Sequence, residues 1–239
     1  MRISSRILNF TLKGTHKQVP GYRIFEREDG KKLMFLPVPK NANSSFKALL
    51  ADYAGVLGSY EFLDDDAPMI NLKPSMKSSE KDWLWDFLPS KRPFVEIDKS
   101  LIDFRLAVVR DPYSRFFSAY KNRILWHQDA AFRGFSVEMV IAELENGNFE
   151  NKHFLPQTFF LGNDPTYFTH LAIAPDFAPV LGAMERFFGY AKPLPELQVK
   201  HGIPKQKVER TGEIDERLRA IYASDFDFIE AAPLNVGVK

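Results

Sequence analysis

Two short segments of this 239-residue chain combine basic side chains, hydroxyl groups and a helix start. The first reads PKNANSSFK at residues 39–47, and the second reads RDPYSRFFSAY at residues 110–120. Backbone N–H groups at a helix N-terminus can close around an anion, and a nearby lysine or arginine adds a full positive charge. Each segment is therefore a candidate anion site, and a phosphate group is its natural guest.

The first segment places its lysine at the opening of the loop. In the nucleoside-triphosphatase loop GxxxxGK[ST] the lysine directly precedes the hydroxyl residue, whereas here Lys40 comes well before Ser44 and Ser45. A lysine at the strand end can reach past a bound phosphate toward the group attached to that phosphate. The simpler alternative is a capped helix start, in which both serines bond backbone amides and Lys40 is solvated.

The second segment predicts a helix with one polar face. Asp111 suits the N-cap position, and Arg115 and Ser118 follow on the same side by helical spacing. Arg110 leaves the preceding strand, so Arg110 and Ser118 together could hold one anion. The alternative is that Arg110 and Arg115 form surface ion pairs with Asp111 or Asp103.

Strands followed by helices must position both segments. Apolar runs at 32–38 and 104–109 predict strands, the first followed by a helix that ends near Gly55 and the second by a helix through about Trp126. Further helices are predicted at 80–88, 136–145, 177–188 and 215–229, with irregular chain at 192–210. The pattern predicts an α/β fold with a mostly parallel sheet covered on both faces, whose strand ends carry the two segments.

Composition restricts the class of protein further. Lys+Arg at 32 against Asp+Glu at 31 gives a net charge of +1, which argues against a nucleic-acid partner. Cysteine is absent, and residues 1–14 lack the apolar length of a signal core or membrane span. We therefore expect one domain over 1–239, a cytoplasmic location and no metal site, since no dense His/Asp cluster is visible. The sequence does not predict the oligomeric state.

The two segments resemble the 5′-phosphosulfate-binding and 3′-phosphate-binding motifs of sulfotransferases. The similarity is greatest to sulfotransferase family 2, which comprises membrane-type carbohydrate sulfotransferases and bacterial relatives. The segments HFLPQ at 153–157 and IYASDFDF at 221–228 resemble two further elements of that family. Ala42 and Asn43 stand where many sulfotransferases have Gly and Thr, a departure that concerns the side-chain contacts to the 5′-phosphate and not the backbone cradle.

The resemblance implies a P-loop-like three-layer sandwich that uses 3′-phosphoadenosine-5′-phosphosulfate (PAPS) as co-substrate and releases adenosine 3′,5′-bisphosphate. The acceptor is a hydroxyl, expected on a glycan or glycolipid. Lys40 would lie near the bridging oxygen of the phosphosulfate, while Arg110 and Ser118 would hold the 3′-phosphate. The remaining predicted nucleotide contacts are Asn41, Ala42, Asn43, Ser44, Ser45 and Phe46.

The base that removes the acceptor proton is less well marked. His153 is the first candidate, because it lies in the HFLPQ segment, and Glu96 is the second. The alternative for His153 is a structural histidine hydrogen-bonded under the following helix. Two alternative functions also remain at this point, a P-loop-type kinase and a catalytically inactive nucleotide-binding protein of the same fold.

Overall fold

The computed structural model describes residues 23–27, 29–53, 99–195 and 208–232. Four strands within these residues form one sheet in the order β1-β2-β3-β4. Strand β1 pairs antiparallel with β2, while β2, β3 and β4 run parallel. The strands are β1 (Arg23–Glu26), β2 (Lys32–Leu36), β3 (Phe104–Arg110) and β4 (His170–Ala174).

Helices connect and cover these strands. They are α1 (Asn43–Tyr53), α2 (Pro112–Tyr120), α3 (Val137–Glu145), α4 (Thr158–Leu161), α5 (Ala178–Phe188), α6 (Gly212–Ile221) and α7 (Ala223–Glu230). Helix α2 continues directly into a π-helix, Lys121–Trp126. No helix in the described ranges has both the length and the apolar composition that crossing a bilayer requires.

The sheet is buried on both faces because its strands are apolar at consecutive positions. Along β3, Leu106 and Val108 belong to one core cluster with α1 and α5, whereas Ala107 and Val109 belong to another with α4 and α7. Alternate residues of a strand point to opposite faces, so a sheet covered on both sides needs such an unbroken apolar run. The predicted α/β arrangement of a mostly parallel sheet flanked by helices is thus confirmed.

A third core cluster holds α2 in place. Phe116, Tyr120 and Ile124 are buried against α3 and α6, and Tyr113 and Phe117 pack at the edge of the cluster. These residues form the apolar face of α2 and its π-helical extension. The segment of the second anion motif is thereby fixed to the rest of the protein by its apolar side.

The structure differs from the sequence prediction in three places. The sheet contains β1 and β4, which were not predicted. The segment predicted as one helix at 215–229 is helical but divided in two, because Tyr222 leaves helical geometry at φ −107 and ψ 26 and separates α6 from α7. The helix expected to run to Trp126 does extend that far, but its last six residues are π-helical. The helix predicted at 80–88 and most of 192–210 lie outside the described residues.

Candidate active site

The loop between β2 and α1 has an unusual backbone. Lys40 and Ala42 both have positive φ, 71 and 54, with Asn41 between them. Such alternation curls a chain so that successive N–H groups point into one concavity, which suits an anion. The first helical hydrogen bond of α1 runs from Phe46 N to Ala42 O at 3.1 Å. The amides at 43–45 therefore precede that bond and have no partner within the helix.

Two residues of this loop are occupied by the protein itself. Asn41 is buried, and its Nδ2 donates to Val108 O at 2.8 Å and to Gln157 Oε1 at 2.6 Å. Phe46 is wholly buried and stacks on Phe35 in the core, while its N–H makes the first helical bond. The Phe46 side chain and amide and the Asn41 Nδ2 are thus engaged within the protein, whereas Asn41 Oδ1 has no hydrogen-bond partner among the described residues.

The second motif begins at the end of β3, the strand next to β2. Asp111 caps α2, with its Oδ1 accepting from Ser114 N at 2.8 Å. The half-buried Arg110 guanidinium donates from NH1 to Lys40 O at 3.3 Å. The structure thus brings the two predicted anion motifs together at the carboxyl ends of neighbouring parallel strands, and Ser118 follows half-buried on α2.

Arg115 has a role that the sequence did not predict. It was expected on the polar face of α2, yet it is only 1% exposed. Its Nε donates to Pro39 O at 3.0 Å and its NH1 to Leu155 O at 2.7 Å. The surface ion pair considered for Arg115 is therefore wrong, because its guanidinium is buried and bonds two backbone carbonyls. Arg115 joins the first loop to the HFLPQ segment.

The Gln157 side chain forms hydrogen bonds with both motifs. Its Oε1 accepts from Arg110 N at 2.9 Å and from the Asn41 amide, and its Nε2 donates to Arg110 O at 2.8 Å. The backbone amides of Gln157 and Thr158 in turn donate to the buried carboxylate of Asp225 in α7, at 2.8 and 2.9 Å. Helix α7 therefore holds the segment of Gln157 in place, and Gln157 in turn holds the two loops that carry the anion motifs.

Positive charge collects where the loops meet. Burial, followed by the charges of Arg123, Arg110 and Arg115, lowers the pKa of Lys40 from 10.5 to about 8. Across the described residues, the Lys40 ammonium has no hydrogen bond and no carboxylate within ion-pair distance. An unpaired ammonium beside free amides binds an anion strongly, because charge-assisted hydrogen bonds form where neighbouring cations otherwise repel it.

Comparison with known families identifies the protein that carries this site. The model of the sulfotransferase family matches residues 23–173, which is more than half of the 239-residue chain. The chain belongs to the sulfotransferase family. Comparison with curated proteins gave no match, and comparison with solved structures gave none either.

The matched region of this sulfotransferase includes both anion motifs and the first candidate base. His153 is half-buried, and its Nδ1 lies 2.8 Å from Asn151 Oδ1. Burial and the charges of Arg123 and Lys40 lower the pKa of His153 to about 2, so its ring is neutral at physiological pH. Glu96, the second candidate, lies outside the described residues.

Arg123 is a further residue of this sulfotransferase site that the sequence did not predict. Its guanidinium forms a bidentate pair with Asp129, from Nε to Oδ2 at 2.7 Å and from NH2 to Oδ1 at 2.6 Å. Its charge is the strongest single electrostatic influence on both Lys40 and His153. Arg123 and Asp129 are six residues apart, a spacing that matches no regular helix or strand period. The sequence therefore did not indicate that these two residues pair.

Proposed function

We propose that this sulfotransferase moves the sulfuryl group of PAPS to an acceptor hydroxyl on a carbohydrate or glycolipid. One observation supports the proposal: the Arg110 guanidinium bonds the carbonyl of Lys40, so the two anion motifs lie side by side next to the Lys40 ammonium, whose pKa burial and three arginines lower. PAPS has anionic groups at both its 5′ and 3′ positions and therefore needs two adjoining anion sites. The carbohydrate acceptor rests on the family resemblance alone.

The nucleotide would be held at both ends. The amides of Ala42, Asn43, Ser44 and Ser45 and the two serine hydroxyls would bind the 5′-phosphate. Arg110 and Ser118 would bind the 3′-phosphate, a group that ATP lacks. Each charge-assisted hydrogen bond of this kind contributes about 1.5–3 kcal/mol.

The transfer would be an in-line displacement at sulfur. The acceptor oxygen forms a bond to sulfur while the bond from sulfur to the bridging phosphate oxygen breaks, and that oxygen leaves with the electron pair on adenosine 3′,5′-bisphosphate. Negative charge therefore grows on the bridging oxygen in the transition state. The Lys40 ammonium would lie beside that oxygen and stabilise it more in the transition state than in the ground state.

The acceptor proton would pass to His153. A base of low pKa has its lone pair available at every physiological pH, and the negative charge of bound PAPS would raise the pKa of the imidazole toward a useful value. Glu96 stays the second candidate. Positioned base catalysis contributes about 10²–10⁴-fold to a rate.

We further propose that residues 1–239 form a single domain. The C-terminal helices support this, because Tyr222 Oη donates to Phe154 O at 2.8 Å and Asp225 binds the amides of Gln157 and Thr158. These contacts join the segment beyond the family match to its centre. The cytoplasmic location inferred from the sequence stays a prediction.

The function is tested most directly at Lys40. We expect Lys40→Ala to lower the single-turnover rate at saturating PAPS by about 10²–10³-fold, while calorimetric affinity for adenosine 3′,5′-bisphosphate changes much less. The matched control is Lys31→Ala, which removes an exposed lysine from the turn before β2 and should leave both quantities unchanged.

Two results would contradict the proposal. Equal turnover in Lys40→Ala and the parent protein would remove the leaving-group role of Lys40. Failure of the parent protein to transfer labelled sulfate from PAPS to any of a panel of glycans, glycolipids and simple alcohols would remove the proposed reaction.

A further inference from the structure

A chain of hydrogen bonds lies behind His153. The Asp129 carboxylate accepts two hydrogen bonds from Arg123 and one from the Nδ2 of Asn151. On the other side of the same amide, Asn151 Oδ1 contacts His153 twice, at 3.0 Å from the backbone N and 2.8 Å from Nδ1. This series of hydrogen bonds begins at Arg123, on the π-helix that extends α2, and ends on the ring of His153, the candidate base.

The direction of each hydrogen bond follows from the chemistry of the groups. An ionised carboxylate can only accept hydrogen bonds, so the NH₂ of Asn151 must face Asp129. The carbonyl oxygen of Asn151 must then face His153, and the His153 backbone N–H confirms this orientation because it needs an acceptor. An amide oxygen cannot donate, and the Nδ1 of His153 therefore carries the proton.

We propose that Asp129 and Asn151 are positioning residues that hold His153 in the Nδ1–H tautomer, with the lone pair on Nε2. This inference rests on the proposed function, in which the O–H bond of the acceptor breaks and an N–H bond forms on that Nε2. A ring of the opposite tautomer would present a hydrogen rather than a lone pair on Nε2 and could not accept the proton there.

The surroundings of the ring keep it neutral, so the property that its hydrogen bonds must set is the tautomer and not the protonation state. Burial of the ring disfavours the imidazolium most, and the charges of Arg123 from the π-helix, Lys40 from the first loop, Lys152 from the same segment and Arg115 from α2 add to that effect on its pKa. The ring is consequently neutral before substrate binds. A neutral imidazole has two tautomers of similar energy, and a fixed acceptor on one nitrogen selects between them.

The tautomer can be measured in the parent protein without any assay of activity. In a ¹⁵N-labelled sample at pH 7, we expect His153 to show a protonated nitrogen at Nδ1 and a lone-pair nitrogen at Nε2. Its signals are assigned by their loss in His153→Gln. A protonated Nε2 in the parent protein would overturn the inference, whatever the activity of the enzyme.

Variants test the coupling to turnover. We expect Asn151→Ala to give a mixed tautomer and to lower turnover by up to about 10²-fold, with unchanged affinity for adenosine 3′,5′-bisphosphate. The matched control is Asn148→Ala, because Asn148 also donates to a carboxylate, Glu143, and accepts from a backbone N–H but contacts no described histidine ring. The control should retain full turnover.

The outcomes separate this inference from the proposed function. An unchanged tautomer and unchanged turnover in Asn151→Ala would overturn the positioning role of Asn151. Full turnover in His153→Gln, alongside an Nδ1–H tautomer in the parent protein, would instead overturn the role of His153 as base. Should Asn151→Ala fail to fold, the nitrogen spectrum of the parent protein still decides the tautomer.

Discussion

Lys40 combines three costly features in a single residue. Its backbone has a positive φ of 71, its ammonium is partly buried, and three arginines lower its pKa. A left-handed backbone costs a non-glycine residue about 1–2 kcal/mol, and the folded protein must also tolerate the repulsion of the arginines. Features that destabilise the fold in this way concentrate at functional sites, where a ligand relieves them.

The pKa of Lys40 predicts a pH dependence. Lys40 must be protonated to stabilise the leaving oxygen, so kcat/KM for PAPS should fall as the pH rises through about 8. The limb in kcat should lie at higher pH, because bound anions raise the pKa of the ammonium. In Lys40→Arg the side chain stays protonated, so the limb near pH 8 should disappear from whatever activity remains. Persistence of that limb in Lys40→Arg would assign it to another group.

Ala42 allows a test of the loop backbone. Its φ of 54 favours glycine, so Ala42→Gly relieves about 1–2 kcal/mol of strain while losing one methyl contact with the core. We expect the free energy of unfolding in urea to stay equal or rise. Ala220→Gly, at an exposed position of α6, should lower it by about 1 kcal/mol. Equal losses in the two variants would show that Ala42 lacks the left-handed backbone.

At the scale of elements, the Gln157 side chain continues the hydrogen bonding of the sheet at the end of β3. Arg110 ends β3, and the amide of Gln157 satisfies both its N–H and its C=O as a neighbouring strand would. The same amide accepts from Asn41, so one side chain sets the relative position of β3 and the first loop. Removing this side chain would leave the N–H and C=O of Arg110, both partly buried, and the buried Asn41 amide without these partners.

Gln157→Ala should therefore affect stability and binding together. We expect a loss of about 1–3 kcal/mol in the free energy of unfolding, together with weaker binding of adenosine 3′,5′-bisphosphate. The control Gln128→Ala, in an exposed turn, should change the stability by less than about 0.5 kcal/mol. A variant that lost stability but bound the nucleotide like the parent protein would show that the loops hold their positions without Gln157.

Elements differ in how far their sequences predicted them. The strands before both anion motifs were predictable, because each is an apolar run that ends at a helix-start signal. Strand β4 has a short HLAIA sequence, and its strand character comes from pairing with β3. The burial of Arg115 was not predictable either, since its partners Pro39 and Leu155 are 76 and 40 residues away. Local periodicity contains no information on such distant carbonyls.

At the scale of the whole molecule, charge is balanced globally and unbalanced locally. The net charge is only +1, because the 32 Lys and Arg residues are almost matched by 31 Asp and Glu residues. The site where Lys40 meets Arg110 keeps its excess positive charge. An anionic ligand should consequently stabilise the entire fold rather than one loop.

Adenosine 3′,5′-bisphosphate without magnesium should raise the Tm of the protein. At 100 times its Kd, a ligand that binds only the folded state adds about 2.7 kcal/mol to the free energy of unfolding. Mg-ATP at the same concentration should give a smaller shift, because it offers no 3′-phosphate to Arg110. A larger shift with Mg-ATP than with the bisphosphate would favour the kinase alternative over PAPS binding.

The hydrogen bonds of Gln157 and Thr158 to Asp225 also determine when, during synthesis of the chain, the nucleotide site can form. Asp225 follows Gln157 by 68 residues, a distance that a ribosome covers in about 3–14 s. Until α7 has been made, the amides of Gln157 and Thr158 lack their carboxylate, and the segment that aligns Arg110 and Asn41 is not anchored. A nascent chain therefore contains both anion motifs well before it can hold them in register, and we expect competence to bind the nucleotide only after α7 has been made.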